Sequence, residues 1–548
     1  MAIIDQPDTP EVKEVLFPPT KGMVNNRRSF HLGVDETVTL RNANTTIEGE
    51  RSKSAGLWPR GCPETGATLP CTLLASIDLT GYDASSNPRV ILGKWGNAVW
   101  SSNDDATTWT HRSSGISLSS TYYQSAVVSG NVYLCSCVSP TEANPEVYSN
   151  LVGISPTTGW TATETTITAR AICSYLNRLW FIKGNYLYWS KKGGILTSTG
   201  NIRFYDSDRN VAVTPVREGL PSLLIWRENS IWILENISWT TDGYDLEATN
   251  DTLDYTLSRI RPIVEGVGLV APRGVIWVPG APGGGDYFFL ANDGIRSLNR
   301  SLSDVQAGAT LPISDRIHGT TRSINWNYAN RSCAAQWEGT AYFSVPAESS
   351  TEPSLTIAYD SHRDAFSIRD WDATSFAVHS YANKSRRLYF ASASPSSESY
   401  SGTDRYGYQV YQVDCSSDDY GGGTTGLSQQ PIQYTEITRS LSFDIEPPPN
   451  EIRRKKRWSY TELQIQPGAT NATLSLSYRL DEGASWNTLA TIDVPASATA
   501  TLIRRKYSMQ NIRPGYYLQF LLQDTTSYAD WKIVHWNAYA YPLNPTFE

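Results

Sequence analysis

The sequence predicts an all-β fold, namely a seven-bladed β-propeller with a C-terminal β-sandwich. Three observations predict it. A short apolar strand followed by a turn recurs at near-regular intervals, Trp and Tyr recur within these units, and the sequence shows no sustained 3.6-residue period. The chain has 548 residues, of which 40% are hydrophobic, so a large core is available. We therefore expect many strands and few helices.

The recurring unit is a short apolar strand, a turn bearing Gly, Asn or Asp, and often a second strand with Trp or Tyr. Its copies begin at Val90, Val132, Leu179, Leu223, Tyr287, Ala341 and Leu388. The intervals of 42, 47, 44, 64, 54 and 47 residues suit four-stranded blades with two insertions. One meander exposes two apolar faces, so neighbouring units must stack, and closing the ring leaves no uncovered end. A set of β-sandwiches is the alternative.

The chain divides into three predicted parts, which are an N-terminal arm or lead-in (1–60), the propeller (61–420) and a separate sandwich domain (430–548). The lead-in has little periodicity and contains several prolines. A glycine run (Gly421–Gly423) and a proline run (Pro447–Pro449) bracket the transition to the sandwich. Beyond them, residues 474–480 alternate apolar and polar side chains, as a half-buried strand does.

The composition favours assembly with protein partners. Charged residues make up only 18% of the chain, against about 25% in typical soluble domains. The chain also contains 18 Trp and 31 Tyr, and aromatic residues are favoured in the cores of interfaces while charges are depleted there. The net charge of −8 argues against a dedicated nucleic-acid binder, because affinity for phosphate requires clustered Lys and Arg.

The cysteines and histidines do not form a predicted metal or catalytic site, and we expect no cofactor and no enzymatic activity. The seven cysteines are scattered without a CxxC pair, which favours reduced thiols in a protein folded in a cytoplasm. A disulfide between Cys62 and Cys71 is the alternative for that pair. The six histidines lack metal-ligand spacing, and no GxSxG motif is present. No signal peptide and no membrane-spanning segment are predicted.

Two segments resemble the Asp-box, S-x-D-x-G-x-T-W, of sialidase-type propellers. The first comprises Asp104, Thr108 and Trp109, with Ala106 where the motif has Gly, and the second is a partial match with Asp481 and Trp486. An aspartate in such a turn accepts backbone N–H groups while the Trp packs beneath it. The motif therefore predicts a structural turn and not a catalytic group.

The densest charge cluster lies in the predicted sandwich and is basic. It comprises Arg453, Arg454, Lys455, Lys456 and Arg457, and a second run, Arg504, Arg505 and Lys506, is expected near it on a neighbouring strand. One interpretation is a solvated edge that blocks unwanted strand pairing. The other is a contact with an acidic surface of a neighbouring subunit or with DNA in a channel. Because the chain has a net negative charge, a contact with a neighbouring subunit is favoured over a contact with DNA.

Several segments resemble the tail nozzle or hub proteins of short-tailed bacteriophages. They are Thr39–Asn44, Asn177–Phe181 with Leu187–Ser190, Leu223–Trp232, Ala341–Pro346, and Ile357–Asp360 with Trp371. They occur in the family's order over about residues 30–540. The resemblance implies a propeller joined to β-sandwich elements and a sixfold ring around the DNA exit path.

The resemblance thus implies a virion protein of the tail, assembled in the host cytoplasm as a hexamer. Its implied partners are an adaptor or portal-side tail protein, a tail fibre or needle protein, and DNA that passes through the lumen without sequence-specific binding. The alternative function is a glycan-binding or glycan-hydrolysing, sialidase-like tail protein that uses the propeller mouth as a pocket. Hydrolysis would require two carboxylates about 5–10 Å apart in a central cleft.

Overall fold

The structure is a computed structural model of the chain. It describes residues 11–45, 51–53, 57–63, 69–80, 89–104, 106–112, 118, 122–137, 150–155, 160–194, 196, 199–217, 219–239, 253–281, 284–307, 311–380, 386–395, 408–413, 433–443, 455–468, 470–497, 501–524, 526 and 531–543. The glycine and proline runs that bracket the predicted domain transition lie outside these residues.

Five short strands precede the repeating units. They are β1 (Val12–Val15), β2 (Thr37–Arg41), β3 (Ala43–Thr45), β4 (Arg51–Lys53) and β5 (Leu57–Gly61). The repeating units then follow as blades 1 to 7.

Each blade is a short antiparallel sheet whose strands pair in chain order. Blade 1 contains β6 (Cys71–Asp78), β7 (Arg89–Trp95), β8 (Ala98–Ser102) and β9 (Thr110–His111). Blade 2 contains β10 (Tyr123–Val128), β11 (Asn131–Ser136), β12 (Asn150–Ser155) and β13 (Thr161–Thr168). Blade 3 contains β14 (Ala171–Tyr175), β15 (Arg178–Lys183), β16 (Tyr186–Ser190) and β17 (Thr199–Arg203). Blade 4 contains β18 (Asn210–Pro215), β19 (Leu223–Arg227), β20 (Ser230–Glu235) and β21 (Arg259–Glu265).

The last three blades depart from the simple four-stranded meander. Blade 5 contains β22 (Val275–Val278), β23 (Asp286–Ala291) and β24 (Gly294–Ser297), and helix α1 (Leu298–Ala307) follows it. Blade 6 contains β25 (Cys333–Trp337), β26 (Thr340–Val345), β27 (Leu355–Asp360) and β28 (Ala365–Arg369), after a short helix α2 (His318–Thr321). Blade 7 contains β29 (Ala373–His379), β30 (Arg387–Ser392) and β31 (Val410–Val413). Short 3₁₀ segments lie at Ser29–His31, Lys192–Gly194, Ile313–Ile317 and Trp326–Arg331.

An apolar cluster fills each gap between neighbouring blades, because successive strand residues point to opposite faces. In β19, for example, Leu223 and Ile225 pack toward blade 3, while Leu224 and Trp226 pack toward blade 5. Equivalent clusters join blades 1 and 2, 2 and 3, 5 and 6, 6 and 7, and 7 and 1. The stack closes on itself, so the predicted seven-bladed β-propeller is confirmed.

The N-terminal strand β5 completes blade 7. It pairs antiparallel with β31, with Leu57 opposite Val413 and Gly61 opposite Val410. Blade 7 is therefore built from strands that lie about 350 residues apart in sequence. This pairing closes the ring by joining the start of the propeller to its end.

The C-terminal region is a β-sandwich, as the sequence predicts. Its strands are β32 (Tyr434–Thr438), β33 (Lys456–Gln466), β34 (Ala472–Leu480), β35 (Asn487–Val494), β36 (Ile503–Ser508), β37 (Leu518–Asp524) and β38 (Lys532–Pro542). One sheet has the order β3-β4-β38-β33-β36, with β1 also on β38, and the other has the order β2-β32-β37-β34-β35. Their facing side chains, such as Trp536 and Phe520, share one core.

The segment expected to be a loosely packed arm instead joins the two domains. Strand β2 lies between β28 of blade 6 and β32 of the sandwich, so these strands form one nine-stranded sheet. Strand β4 contributes two buried cations: Arg51 pairs with Glu436 at 2.9 Å and Lys53 with Asp524 at 3.7 Å. The lead-in expectation fails here because these partners lie hundreds of residues away and leave no local periodicity to recognise.

Candidate functional site

The sequence-predicted basic residues occupy two different places on the sandwich. Arg453 and Arg454 lie outside the described residues. Lys455 and Arg457 are exposed, but Lys456 is only 1% exposed and its backbone pairs with Gly515. Lys456 is therefore a structural residue and does not present its charge to a partner.

The two basic runs lie on neighbouring strands but do not face each other. Strand β36 pairs with β33 so that Lys506 lies opposite Glu462, whereas Lys456 pairs with Pro542 on β38. Glu462 lies six positions after Lys456 on β33, which is about 20 Å at the usual rise per residue. The described basic residues thus form two separate groups, one at the start of β33 and one on β36.

Strand β36 places its charges at the edge of the sheet. Arg504 donates two hydrogen bonds to the carboxylate of Glu462, at 2.6 and 2.7 Å. These hydrogen bonds are the main reason that the pKa of Glu462 is below its ordinary value. The ammonium of Lys506 lies 3.4 Å from the ring centre of Tyr460, which stacks on Tyr539 at 4.2 Å. The edge therefore carries an ordered group of paired cations and aromatic rings.

The first Asp-box-like segment forms a compact turn between β8 and β9. Asp104 accepts hydrogen bonds from Ser102 Oγ at 2.7 Å, from the Thr108 backbone N–H at 2.9 Å and from Thr108 Oγ1 at 2.5 Å. Burial raises the pKa of Asp104, but these hydrogen bonds outweigh burial and hold the pKa below its ordinary value. Ala106 adopts φ +63°, the left-handed conformation for which the motif uses glycine. The ring of Trp109 packs edge-on against Trp95.

The second Asp-box-like segment uses its aspartate differently. Asp481 accepts hydrogen bonds from the backbone N–H groups of Tyr516 and Tyr517, at 2.7 and 2.9 Å, which belong to another loop. Trp486 lies 4.6 Å from the guanidinium carbon of Arg479, measured to the ring centre. This segment therefore ties two loops of the sandwich together, where the motif predicts a bond within its own turn.

A cavity of about 280 Å³ lies on the propeller axis. Residues of the innermost strand of every blade, or of the segment just before it, line it. Two polar side chains connect different blades there: Gln124 donates to Pro272 O at 2.9 Å, and Arg273 donates to Thr374 O and Arg331 O, both at 2.8 Å. Sequence reasoning missed both residues, because Gln124 lies in an ordinary strand and Arg273 in a short Pro-Arg-Gly turn.

The acid pair that glycan hydrolysis would require is not found along this cavity in the described residues, where Arg273 is the one charged side chain in the lining. Within the same residues, no group of three or more His, Cys, Asp or Glu side chains could hold a metal ion. Cys62 and Cys71 are both buried and do not form a disulfide with each other. No helix among the described segments is long and apolar enough to span a membrane.

A patch of exposed apolar side chains lies on the turns of blades 3 and 4. We call Leu176, Leu220, Tyr255 and Leu257 the blade 3–4 patch, and their exposed fractions are 39, 67, 61 and 52%. Hydrogen bonds connect these turns: Ser222 N–H donates to Tyr175 Oη, and Asn236 Nδ2 donates to Leu257 O. The composition of the chain predicts an interface in general, but the location of this patch follows only from the fold.

Comparisons with known proteins give no functional assignment. No protein-family model matches the chain, and no curated protein matches its sequence. Similar solved structures include the AfRom2 CNH domain, with TM-score 0.34 and 8% identity over 64% of this chain and 98% of that one. YCF48 bound to D1 peptide has TM-score 0.34 and 9% identity over 66% and 97%. An S. cerevisiae dbp5 variant bound to nup159, a gle1 variant, ip6 and adp has TM-score 0.33 and 9% identity over 68% and 97%. At these values the likeness carries no argument about partners or activity.

Proposed function

We propose that this chain is a virion structural protein that forms the nozzle or hub ring of a bacteriophage tail. In this proposal six copies surround a channel for DNA ejection and provide a platform for neighbouring tail proteins. The proposal combines the motif order that resembles the nozzle family with the surface of the folded chain. It assigns the protein an assembly role and no catalytic step.

The observation that carries the proposal is the blade 3–4 patch. Leu176 is exposed although it occupies a left-handed backbone position, with φ +52°, that suits Asn or Gly much better than Leu. A strained, exposed leucine beside three other exposed apolar side chains is costly in a free protein, and such patches mark interaction sites. We assign this patch to the lateral contact between neighbouring copies.

The connection between propeller and sandwich supports the same role. The nine-stranded sheet and the buried Arg51–Glu436 pair connect the two domains rigidly. A ring subunit must hold its lateral contacts and its axial contacts at a fixed distance, and a rigid body does so. The edge strand β36, with exposed Arg504 and Lys506, is the proposed contact for an axial partner with an acidic surface, such as an adaptor or fibre protein.

Electron microscopy of the purified chain, alone and mixed with its adaptor protein, tests the proposal. We expect closed rings for the wild type, and loss of rings for the double variant Leu220→Asp with Leu257→Asp. The matched control is Leu69→Asp, because Leu69 is 53% exposed and lies outside the patch. It should still form rings.

A chain that never forms rings under either condition would refute the proposal. Rings that survive both patch substitutions would refute the assignment of the patch. Circular dichroism of each variant shows whether a lost ring reflects a lost fold.

A further inference from the structure

The propeller axis contains a cation whose charge no carboxylate balances. Arg273 precedes β22 and reaches across the axis toward blades 7 and 1, where its Nη1 donates to Thr374 O at 2.8 Å and lies 3.5 Å from Thr72 O. Its guanidinium carbon lies 4.5 Å from the ring centre of Tyr122. All of these partners are neutral. They accept hydrogen bonds from Arg273 or pack against it, but they do not neutralise its positive charge.

The surrounding charges increase this imbalance. Among the described residues no ion pair includes Arg273, and its Nε–H is buried without an acceptor. Glu352, which accepts a hydrogen bond from the hydroxyl of Tyr122, is already paired with Arg331 at 2.5 Å. A second cation, Lys94, donates to Thr72 Oγ1 at 3.2 Å, on the same residue that Arg273 contacts. A partly buried positive charge without a counter-charge favours an anion at this place.

The walls of the cavity are mostly apolar. Leu73, Ile172 and Val213 line it, as do Val275 and Phe376, which remain partly exposed because they face the open space. The cavity volume is about 280 Å³, and a cavity of about 150 Å³ is already large enough for a benzene ring. The space therefore suits a small apolar body that carries one anionic group.

We propose that the axial cavity binds a small organic carboxylate, whose carboxylate accepts a hydrogen bond from the Arg273 guanidinium while its apolar part packs against the cavity wall. Arg273 Nη1 donates to Thr374 O and Thr72 O, but Nη2 donates to Arg331 O alone, so one of its two N–H groups is left for the carboxylate. An apolar part is required as well, because most of the lining cannot form hydrogen bonds. This binding site is independent of the proposed ring.

Isothermal titration of the full chain with sodium benzoate tests the site, with benzamide and inorganic phosphate titrated at the same ionic strength. We expect saturable binding of benzoate, and binding at least tenfold weaker for benzamide, which lacks the charge, and for phosphate, which lacks the apolar part. Arg273→Gln should weaken benzoate binding at least tenfold. Since Arg273 also connects blades, Ala334→Phe provides a second variant that fills the cavity and leaves Arg273 in place.

Two matched controls should bind benzoate as the wild type does. Ala162→Phe changes a partly buried alanine on the outermost strand of blade 2, and Arg89→Gln removes an exposed arginine paired with Asp78. Benzoate binding that is lost in Ala334→Phe and retained in both controls supports the site, even if Arg273→Gln fails to fold. Absence of saturable binding, equal affinity for phosphate, or unchanged binding in Ala334→Phe would overturn it.

Discussion

The turn between β14 and β15 contains a residue whose side chain does not suit its backbone conformation. Leu176 and Asn177 both have positive φ, 52° and 54°, as a two-residue type I′ turn requires. Asparagine tolerates this conformation and leucine does not. The leucine side chain is also exposed, so it gains little from the fold in return.

We therefore expect Leu176→Asn to raise the free energy of unfolding by roughly 0.5–1 kcal/mol. Chemical denaturation of wild type and variant measures this difference. Because Leu176 belongs to the blade 3–4 patch, the same variant should form fewer rings. A variant that is less stable than the wild type would show that Leu176 packs within its own subunit.

Lys94 gives a prediction about pH. It is 2% exposed, and burial lowers its pKa from 10.5 to about 8. Between these two values the unfolded chain holds a proton that the folded protein lacks, so the cost of burying Lys94 is complete below pH 8 and disappears as the pH rises to 10.5. Lys94→Met should be more stable than the wild type near neutral pH, by up to about 3 kcal/mol.

The diagnostic result is that this stability difference shrinks as the pH rises from 8 to 10.5. Denaturation of both proteins at each pH cancels the part of the buried-thiol contribution that does not depend on Lys94. Burial raises the pKa of Cys71 and Cys333 to about 12, which lowers the stability of both proteins at alkaline pH. A difference that is constant with pH would mean that Lys94 keeps its ordinary pKa.

At the residue scale, the sequence predicts local contacts and misses distant ones. The Asp104 turn is local, since its partners lie within four residues, and its motif indicates a structural turn. The burial of Lys456 depends on its pairing with Pro542 and Gly515. Arg273 becomes part of a candidate site only when the ring brings seven blades to one axis.

At the scale of elements, buried ion pairs fix the N-terminal strands. Arg51 is 3% exposed and Glu436 1% at the side chain, and Arg51 also donates to Leu16 O at 3.0 Å while Tyr434 donates to Glu436 at 2.7 Å. Removing one partner leaves the other charge buried and alone, which typically costs about 3–5 kcal/mol. Replacing both partners with apolar residues removes that penalty.

We expect Arg51→Met and Glu436→Leu each to lower the free energy of unfolding by about 3–5 kcal/mol, and the double variant to lower it by less than either. A double-mutant cycle in urea measures the coupling. Arg89→Met serves as the control, because its pair with Asp78 is exposed and should contribute less than about 1 kcal/mol. Additive effects of the two buried substitutions would show that the charges do not interact.

The strands that the sequence predicts well are those with strong hydrophobic patterns. Each of the seven recurring segments contributes the second strand of its blade, from β7 around Val90 to β30 around Leu388. Strands β2 and β4 were missed because they are short, and because polar residues such as Arg51 and Lys53 face the core through ion pairs. Their pairing partners, such as Thr435 opposite Arg41, lie almost 400 residues away, as their residue numbers show.

At the scale of the whole molecule, the propeller and sandwich share a core as well as a sheet. Phe343 of blade 6 and Leu518 of the sandwich belong to one apolar cluster. Calorimetry should therefore show one unfolding transition, with calorimetric and van't Hoff enthalpies close to each other. Two separated transitions would mean that the N-terminal strands do not couple the domains.

The proposed function makes a claim about the assembled particle, and a cryo-electron microscopy map of a phage tail that contains this chain tests it most directly. We expect a closed ring of six copies, with blades 3 and 4 of each propeller against the next copy and the sandwich against an axial neighbour. Copies that stand apart from one another, or a ring that leaves the blade 3–4 patch facing solvent, would contradict the account.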